Sequence, residues 1–443
     1  MLENSNLPVV FYGNTLRAFR TTLIWYLYEI CQKYECYLVI SELDQPTRDF
    51  LSIKQNFPGL KKIIVQDCTN RYDKNIFKLN SSIYKLAVHL IYDLNPQIVF
   101  CSSDWHSLFE MYLLRLARKK GILRITLQDT ITNDINTTRV FYKLNEKNNL
   151  RQKNLNRVEV AVLSIIRKPL LHILVYWFCP LLNLEKPFFG KSSYILMTGN
   201  SGIRDSCMHV VFKNNYDMFV KSGVLAEKLL INEHPITRMK RDLVNQLFNN
   251  EKVVNSKSVV ILVSDLTVGY SLNGLSPISY DIKFKERCEI IKCIANSLPE
   301  YRIILKGHPN IKDMDVYKNS MLDIKNDLFV APKNESAEKY IISSDIIVDL
   351  PAPNSSSIFF ATLIFPPKVI VCIDTLQEFM GDYFKDYEKI TYLTTIDQVL
   401  SFFRNLSESK MIPNSSLTAN ENNNRSKNIS EIIEYVRDHL VKS

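Results

Sequence analysis

No apolar run in this chain reaches the roughly 18 residues that a membrane-spanning helix needs. The N-terminus, MLENSNLPVVFYG, has no basic leader and no long apolar core, so it does not read as a secretion signal. No C-x-x-C pair occurs among the nine cysteines, which are Cys31, Cys36, Cys68, Cys101, Cys179, Cys207, Cys288, Cys293 and Cys372. They are odd in number, scattered, and mostly in apolar surroundings. Free buried thiols in a reducing cytoplasm explain them better than a disulfide framework or a zinc site. There is no H-E-x-x-H and no Cys/His cluster, so no metal is expected. The nucleophile elbow G-x-S-x-G is missing, which argues against hydrolase chemistry of that type. The first βα turn, FYGNTLRAFRTT, holds one glycine and no G-x-G-x-x-G, so no dinucleotide cofactor is expected. Basic tails are absent too. The formal charge of +9 is mild, and nucleic acid is not expected as a partner. That excess suits an anionic substrate or a negatively charged membrane surface.

What is present is the composition of a folded protein, 46% hydrophobic and 23% charged, over 443 residues, a length that implies two or three domains. Short apolar, β-branched runs alternate with longer amphipathic stretches. In the first part the strand candidates are PVVFY (8–12), CYLVIS (36–41), KKIIVQ (61–66), QIVFCS (97–102) and RITLQD (124–129). Helical patterns such as 15–34 and 105–121 lie between them. The second ends in Arg, Lys, Lys, Gly, which places cations in the last turn and a glycine beyond it. Strands apolar on both faces and separated by helices imply a parallel sheet with helices on both sides.

Residues 133–157 interrupt the rhythm with a polar, Asn- and Lys-rich stretch that reads as a loop. Basic residues Arg151, Lys153, Arg157, Arg167 and Lys168 then precede the apolar segment PLLHILVYWFCPLL (169–182). Two readings stay open for 151–182: a buried helical hairpin or dimer contact, or a monotopic insertion with aromatics at headgroup level. The second makes the membrane surface a partner and places the protein in the cytoplasm, peripheral to the inner face of the cell membrane.

The α/β rhythm resumes at SYILMTG (193–199) and KLLIN (228–232). A second set follows: SVVILVSD (258–265), YRIILKGH (301–308), LFVAP (328–332), DIIVDL (345–350) and KVIVCID (368–374). The tail, ISEIIEYVRDHL (429–440), reads as a helix that packs back. The expected fold class is α/β, with two tandem doubly wound Rossmann-like domains facing a central cleft. The expected limits are 1–190 for a first domain with a basic and apolar insertion near 150–185, 191–407 for a second domain, and 408–443 for a polar linker and C-terminal helix. In such sheets ligands bind beyond the carboxyl ends of the strands.

Two features meet that expectation. His308 ends a strand in KGHPN, held by Pro309. After DIIVDL, Asn354 can cap a helix whose first turn holds Ser355, Ser356 and Ser357. A helix N-terminus with hydroxyls suits phosphate or carboxylate oxygens. Each feature alone also reads blandly, as a solvated turn and a plain cap.

These pieces carry a resemblance. KGHPN (306–310), SSDIIVDLPAPNSSSIFFATLIFPPKVIVCID (343–374) and YDMFVKSGVLAEKLLINEHPITRMKRDL (216–243) resemble the donor half of GT-B glycosyltransferases of bacterial surface polysaccharide synthesis. The similarity is to the sialyltransferase-like enzymes with an HP motif and a serine motif, and to the CDP-glycerol glycerophosphotransferases. It covers roughly residues 190–380 by pattern and the first half by architecture. It implies that His308 contacts the nucleotide's phosphate or ribose, and that Ser355 and Ser356 hold a phosphate or a donor carboxylate. Two departures stand: the sialyltransferase acidic motif has no match, and the Gln-His-Gly of the glycerophosphotransferases is replaced by Gln128-Asp129-Thr130.

Glycosyl transfer needs a general base, stabilisation of the leaving phosphate and alignment of two substrates. Asp129, at the end of a first-domain strand, is the first candidate for the base. Asp104, with His106 beside it for acceptor contact, comes next, though CSSDWH also reads as a helix cap. Lys306 is a candidate to neutralise phosphate, and Gly269 to let backbone approach the donor. Asn14, Arg17 and Arg20 are candidates for touching an acceptor sugar or lipid phosphate. His234, in NEHPITRMKR, reads as structural, at the passage between domains. The leading expectation is a metal-independent, inverting glycosyltransferase with a nucleotide-sugar as co-substrate and a surface polysaccharide or lipid-linked glycan as acceptor. Its rivals are a CDP-alditol phosphotransferase, an epimerase of the UDP-N-acetylglucosamine 2-epimerase type, whose further acids and arginine find no clear place, and a non-catalytic GT-B-like protein that binds glycans or partners.

Overall fold

The computed structural model describes residues 8–13, 15–66, 76–102, 108–128, 208–221, 226–248, 257–263, 278–308, 311, 314–350, 356–364, 368–378, 388–408 and 427–442. Two parallel sheets carry the fold. The first has seven strands: β1 (Pro8–Gly13), β2 (Glu35–Ile40), β3 (Leu60–Val65), β4 (Ile98–Cys101), β5 (Leu123–Leu127), β6 (Met208–Val211) and β7 (Leu229–Ile231). Their order is β3-β2-β1-β4-β5-β6-β7. The second has six: β8 (Ser258–Val263), β9 (Arg302–Gly307), β10 (Leu328–Val330), β11 (Ile346–Leu350), β12 (Val369–Ile373) and β13 (Thr391–Leu393), in the order β10-β9-β8-β11-β12-β13. Each order runs outward one way from its first strand and then resumes on the other side. That is double winding, with a switch point between β1 and β4 and another between β8 and β11.

The strands form where apolar residues predominate, because both sheet faces are covered. All six residues of β8 are buried. On one face Val259, Ile261 and Val263 join Ile303, Leu305, Val348 and Val371 in a core with Ile290, Ile291 and Ile294 of the helix Tyr280–Ser297. That helix is capped by Ser279, whose hydroxyl accepts the Ile282 N–H at 3.4 Å. In the first unit the helix Leu108–Lys119 stops at Gly121, whose φ of +67° only glycine adopts without strain.

The chain divides into two compact units: Met1–Pro235 with Ser426–Ser443, and Ile236–Arg425. This corrects the sequence-based limits of 1–190, 191–407 and 408–443. β6 and β7 extend the first sheet, with Ile125 paired to Met208 and His209 to Leu229, so the first unit runs on to Pro235. The long insertion between β5 and β6 hides that pairing from any local pattern. His234, buried near the end of the first unit, hydrogen-bonds the Thr22 hydroxyl through Nε2 at 2.9 Å, and its ring lies tilted against that of Phe212.

The C-terminal helix Ile429–Lys442 returns to the first unit and packs on the helix Ile24–Cys31. Ile429, Ile432, Ile433 and Val436, one stripe at helical spacing, are buried. Each such side chain contributes about 1.5–3 kcal/mol relative to exposure. The Ile429 N–H donates to the Glu29 carboxylate at 3.0 Å, and Arg437 donates to Gln97 at 2.9 Å. Among the described residues no helix is long and apolar enough to cross a membrane. The segments 151–182 and SYILMTG (193–199) lie outside the described residues.

Close packing in the first unit centres on Gly59. A Cβ there would meet the carbonyl oxygens of Tyr34 and Cys31. Gly59→Ala is expected to cost about 1–3 kcal/mol by overpacking, read as a lowered thermal midpoint. An unchanged midpoint would show that the backbone yields at this point.

Candidate functional site

The second sheet's switch point is formed by β8 between β9 and β11. Val263 pairs with Gly307 on one side and Leu350 on the other, so three strands end level. From this edge β9 continues into His308, whose N–H donates to the Val263 carbonyl at 2.8 Å. The His308 carbonyl then accepts the Ile311 N–H at 2.9 Å, which turns the chain. Gly307 lets Met314 pack over this turn; a Cβ would lie 2.6 Å from the Met314 sulfur. His308 is thus half-buried and fixed by its backbone at the carboxyl edge.

From β11 the chain passes into the helix Ser356–Leu363, whose first turn holds Ser357, buried. The sequence allowed the two strands that carry His308 and the serines to lie side by side. The structure places β8 between them. Two strand spacings, roughly 10 Å, separate their axes.

Lys306 has a different setting from the one expected. It is 3% exposed, and its ammonium donates to the carbonyls of Pro332 at 3.0 Å and Lys333 at 3.2 Å, just beyond β10. Burial pulls its pKa down, against the pull of Glu335 and Glu338. Its bonds tie β9 to the chain leaving β10. Arg20 is likewise engaged, bonded to Asp44 at 2.8 Å, while Asp44 also accepts the Thr47 N–H as a helix cap. Arg17 is exposed one helical turn earlier. Asn14, Asp104, His106, Asp129, Gly269, Pro309, Asn354, Ser355 and the Ser356 side chain lie outside the described residues. Topology still assigns some of their strands: β1 and β4, which lead to Asn14 and to Asp104 and His106, are neighbours at the first switch point.

Gln128, just before Asp129, is a latch between strands. Its side-chain carbonyl accepts the Phe212 N–H at 2.7 Å and its amide donates to Asn215 at 2.5 Å.

Two buried charged groupings escaped the sequence reading. In the first unit Glu110, fully buried, accepts a hydrogen bond from Ser102, just past β4, at 3.0 Å. In the second, Glu378 sits between Lys283 at 2.6 Å and Arg287 at 3.3 Å, all buried. Asp374, at the end of β12, accepts the Glu378 N–H at 2.8 Å and the Tyr392 hydroxyl at 2.7 Å. Glu286 is bonded by the Thr375 hydroxyl. Burial pushes Glu286 up to about 7, with Arg287 pulling it down and Glu378 pushing it further up. A signal for both groupings was present. Glu110 is spaced with Leu113 and Ala117, and Arg287 with Ile290 and Ile294, so each charge lies on an apolar helical stripe.

Two doubly wound α/β units of this kind define a GT-B-type fold. Solved structures that share it include the UDP-GlcNAc 2-epimerase from Neisseria meningitidis bound to UDP-GlcNAc, at 11% identity and a TM-score of 0.50, over 99% of this chain and 100% of that one. A further UDP-N-acetylglucosamine 2-epimerase matches at 10% identity and a TM-score of 0.50, over 90% and 87%. TcCGT1 in complex with UDP matches at 12% identity and a TM-score of 0.47, over 99% of this chain and 100% of that one. At such identities the likeness is one of fold. No protein-family model and no curated protein sequence matches the chain.

Proposed function

We propose that this protein is an enzyme acting on a nucleotide-activated sugar, and that it transfers the sugar to a surface polysaccharide or lipid-linked glycan. The observation that supports this reading best is the second sheet's switch point, where β8 is flanked by His308 on one side and the start of a serine-bearing helix on the other. Ligands of open α/β sheets bind at such points. A histidine and a helix N-terminus suit the charge of a departing nucleotide phosphate. In the proposed step an acceptor hydroxyl loses its proton to a carboxylate, with Asp129 or Asp104 in that role. The hydroxyl oxygen attacks the anomeric carbon from the side opposite the leaving phosphate, and the configuration inverts. The transfer needs no metal when His308 and the helix start take up the developing charge. Membrane contact through 151–182 and a place at the inner face of the cell membrane belong to the same proposal.

The fold likeness to two UDP-N-acetylglucosamine 2-epimerases favours a second reading, in which the donor sugar itself is epimerised. One experiment separates the readings. The purified chain is heated with CMP, CDP, UDP, GDP and their sugars, and stabilising ligands are then followed for turnover with and without a glycan acceptor. A ligand that binds the native state raises the midpoint. The expected result is a rise with one nucleotide, lost in His308→Ala, and donor consumption only when acceptor is added. Consumption without acceptor selects the epimerase. Release of CMP from a CDP-alditol selects the phosphotransferase. Absence of any shift sinks the enzymatic reading in favour of a non-catalytic binding protein.

A further inference from the structure

The helix Ile24–Cys31 and strand β2 are joined by a tight turn with a cysteine at each end: Cys31 closes the helix and Cys36 is the second residue of the strand. Both are free and buried, at 1% and 0% exposure. Gly59 ties them together from a third segment. Its N–H donates to the Cys31 carbonyl at 2.9 Å, and its carbonyl accepts the Cys36 N–H at 2.8 Å. The side chains of Cys31 and Cys36 lie close enough to act on one another.

The chain offers an internal comparison. Cys288 and Cys293 have the same spacing in sequence, but they lie on the continuous helix Tyr280–Ser297. Five residues of helix turn through roughly 500°, which leaves the two side chains about 140° apart. Cys288 is hydrogen-bonded to Ser320 instead. Identical spacing therefore produces neighbouring thiols in one place and separated thiols in the other.

We propose that Cys31 and Cys36 form a modification site, a dithiol that closes to a disulfide by exchange with a low-molecular-weight disulfide of the glutathione type. One cysteine thiolate attacks the external disulfide, giving a mixed disulfide and expelling one thiol. The second cysteine thiolate attacks the protein-bound sulfur and expels the other. The protein loses two protons and two electrons, and one external disulfide takes them up to become two thiols. Burial pushes the Cys36 thiol well up, so exchange waits on opening of the turn, where Gln32 and Lys33 are exposed. The site bears on the fold of the first unit. Arg437 and Glu434 of the C-terminal helix act on the phenol of Tyr34 in this turn, and Glu29 of the preceding helix holds the Ile429 N–H. Closing the disulfide pins the seat of the C-terminal helix.

The test equilibrates the full chain in glutathione buffers from fully reduced to fully oxidised. Samples are quenched in acid, unfolded, alkylated and digested with trypsin. Cleavage after Lys33 separates the two cysteines, so their peptides stay joined only if the disulfide has formed. The expected result is loss of alkylation at both Cys31 and Cys36 with recovery of the joined peptides, while Cys288 and Cys293 keep their labels. Alkylation of both cysteines in the most oxidising buffer overturns the proposal. So does glutathione retained on either one, or pairing of either with a different cysteine.

Discussion

Replacing Glu378 by alanine is expected to destabilise the second unit by about 3–5 kcal/mol, the usual cost of removing one partner from a buried ion pair. Lys283 and Arg287 are 0% and 1% exposed, and Glu378 is the carboxylate they share. The loss strips two buried cations of that partner at once. The backbone N–H at position 378 survives the substitution and stays held by Asp374, so the loss falls on the side-chain network. The check is urea unfolding followed by far-UV circular dichroism, with hydrogen exchange read on the peptide covering 280–297. Exchange there should quicken in step with the lost stability. The triple variant Lys283→Met, Arg287→Met, Glu378→Leu should recover most of the loss, because apolar packing replaces a buried ionic group at little net cost. A loss below about 1 kcal/mol for Glu378→Ala would be the value of a solvated surface pair, and would refute the buried network.

The strands were legible from their apolar runs. β1, β4, β8 and β12 are nearly unbroken apolar runs, while β2, β3, β5, β9 and β11 carry charged residues among their apolar ones, such as the exposed Lys61 and Lys62 of β3, and the observed limits of all nine fall within about two residues of the expected ones. β6 and β13 were missed because MHVV and TYL are too short to stand out, and their place is set by neighbours far off in sequence. β6 in turn carries the domain boundary, so the boundary moved with it. At the site, His308 was legible because a strand, a glycine and a proline bracket it locally. The duty of Lys306 was not, because its partners are carbonyls beyond β10, 26 and 27 residues away. The Glu378 network stayed hidden for the same reason: 91 residues separate Arg287 from its carboxylate.

The second unit should also lose stability as pH rises from about 4.5 to about 7, and Glu286 is the cause. Its carboxyl is pushed from 4.5 to about 7, chiefly by burial. Below 4.5 the group is protonated in both folded and unfolded chains and contributes nothing to the difference. Between 4.5 and 7 the unfolded chain has released the proton and the folded one still holds it. The unfolded state then binds fewer protons, and stability falls with pH. Above 7 both forms are ionised and the penalty is constant. A shift of this size corresponds to at most about 3 kcal/mol. The surroundings fix the sign. Desolvation is the largest influence and raises the pKa, Glu378 and Asp374 add to it, and Arg287 and Lys283 pull the other way without reversing it. The contact with the Thr375 hydroxyl survives in an amide, whose nitrogen or oxygen can serve the same partner. Glu286→Gln is therefore expected to match the parent chain near pH 4.5 and to exceed its stability by up to about 3 kcal/mol at pH 8. Urea midpoints across that range, followed by circular dichroism, decide it. Parallel pH curves for the two chains would show that Glu286 ionises as it does in water, and would remove it from the buried network.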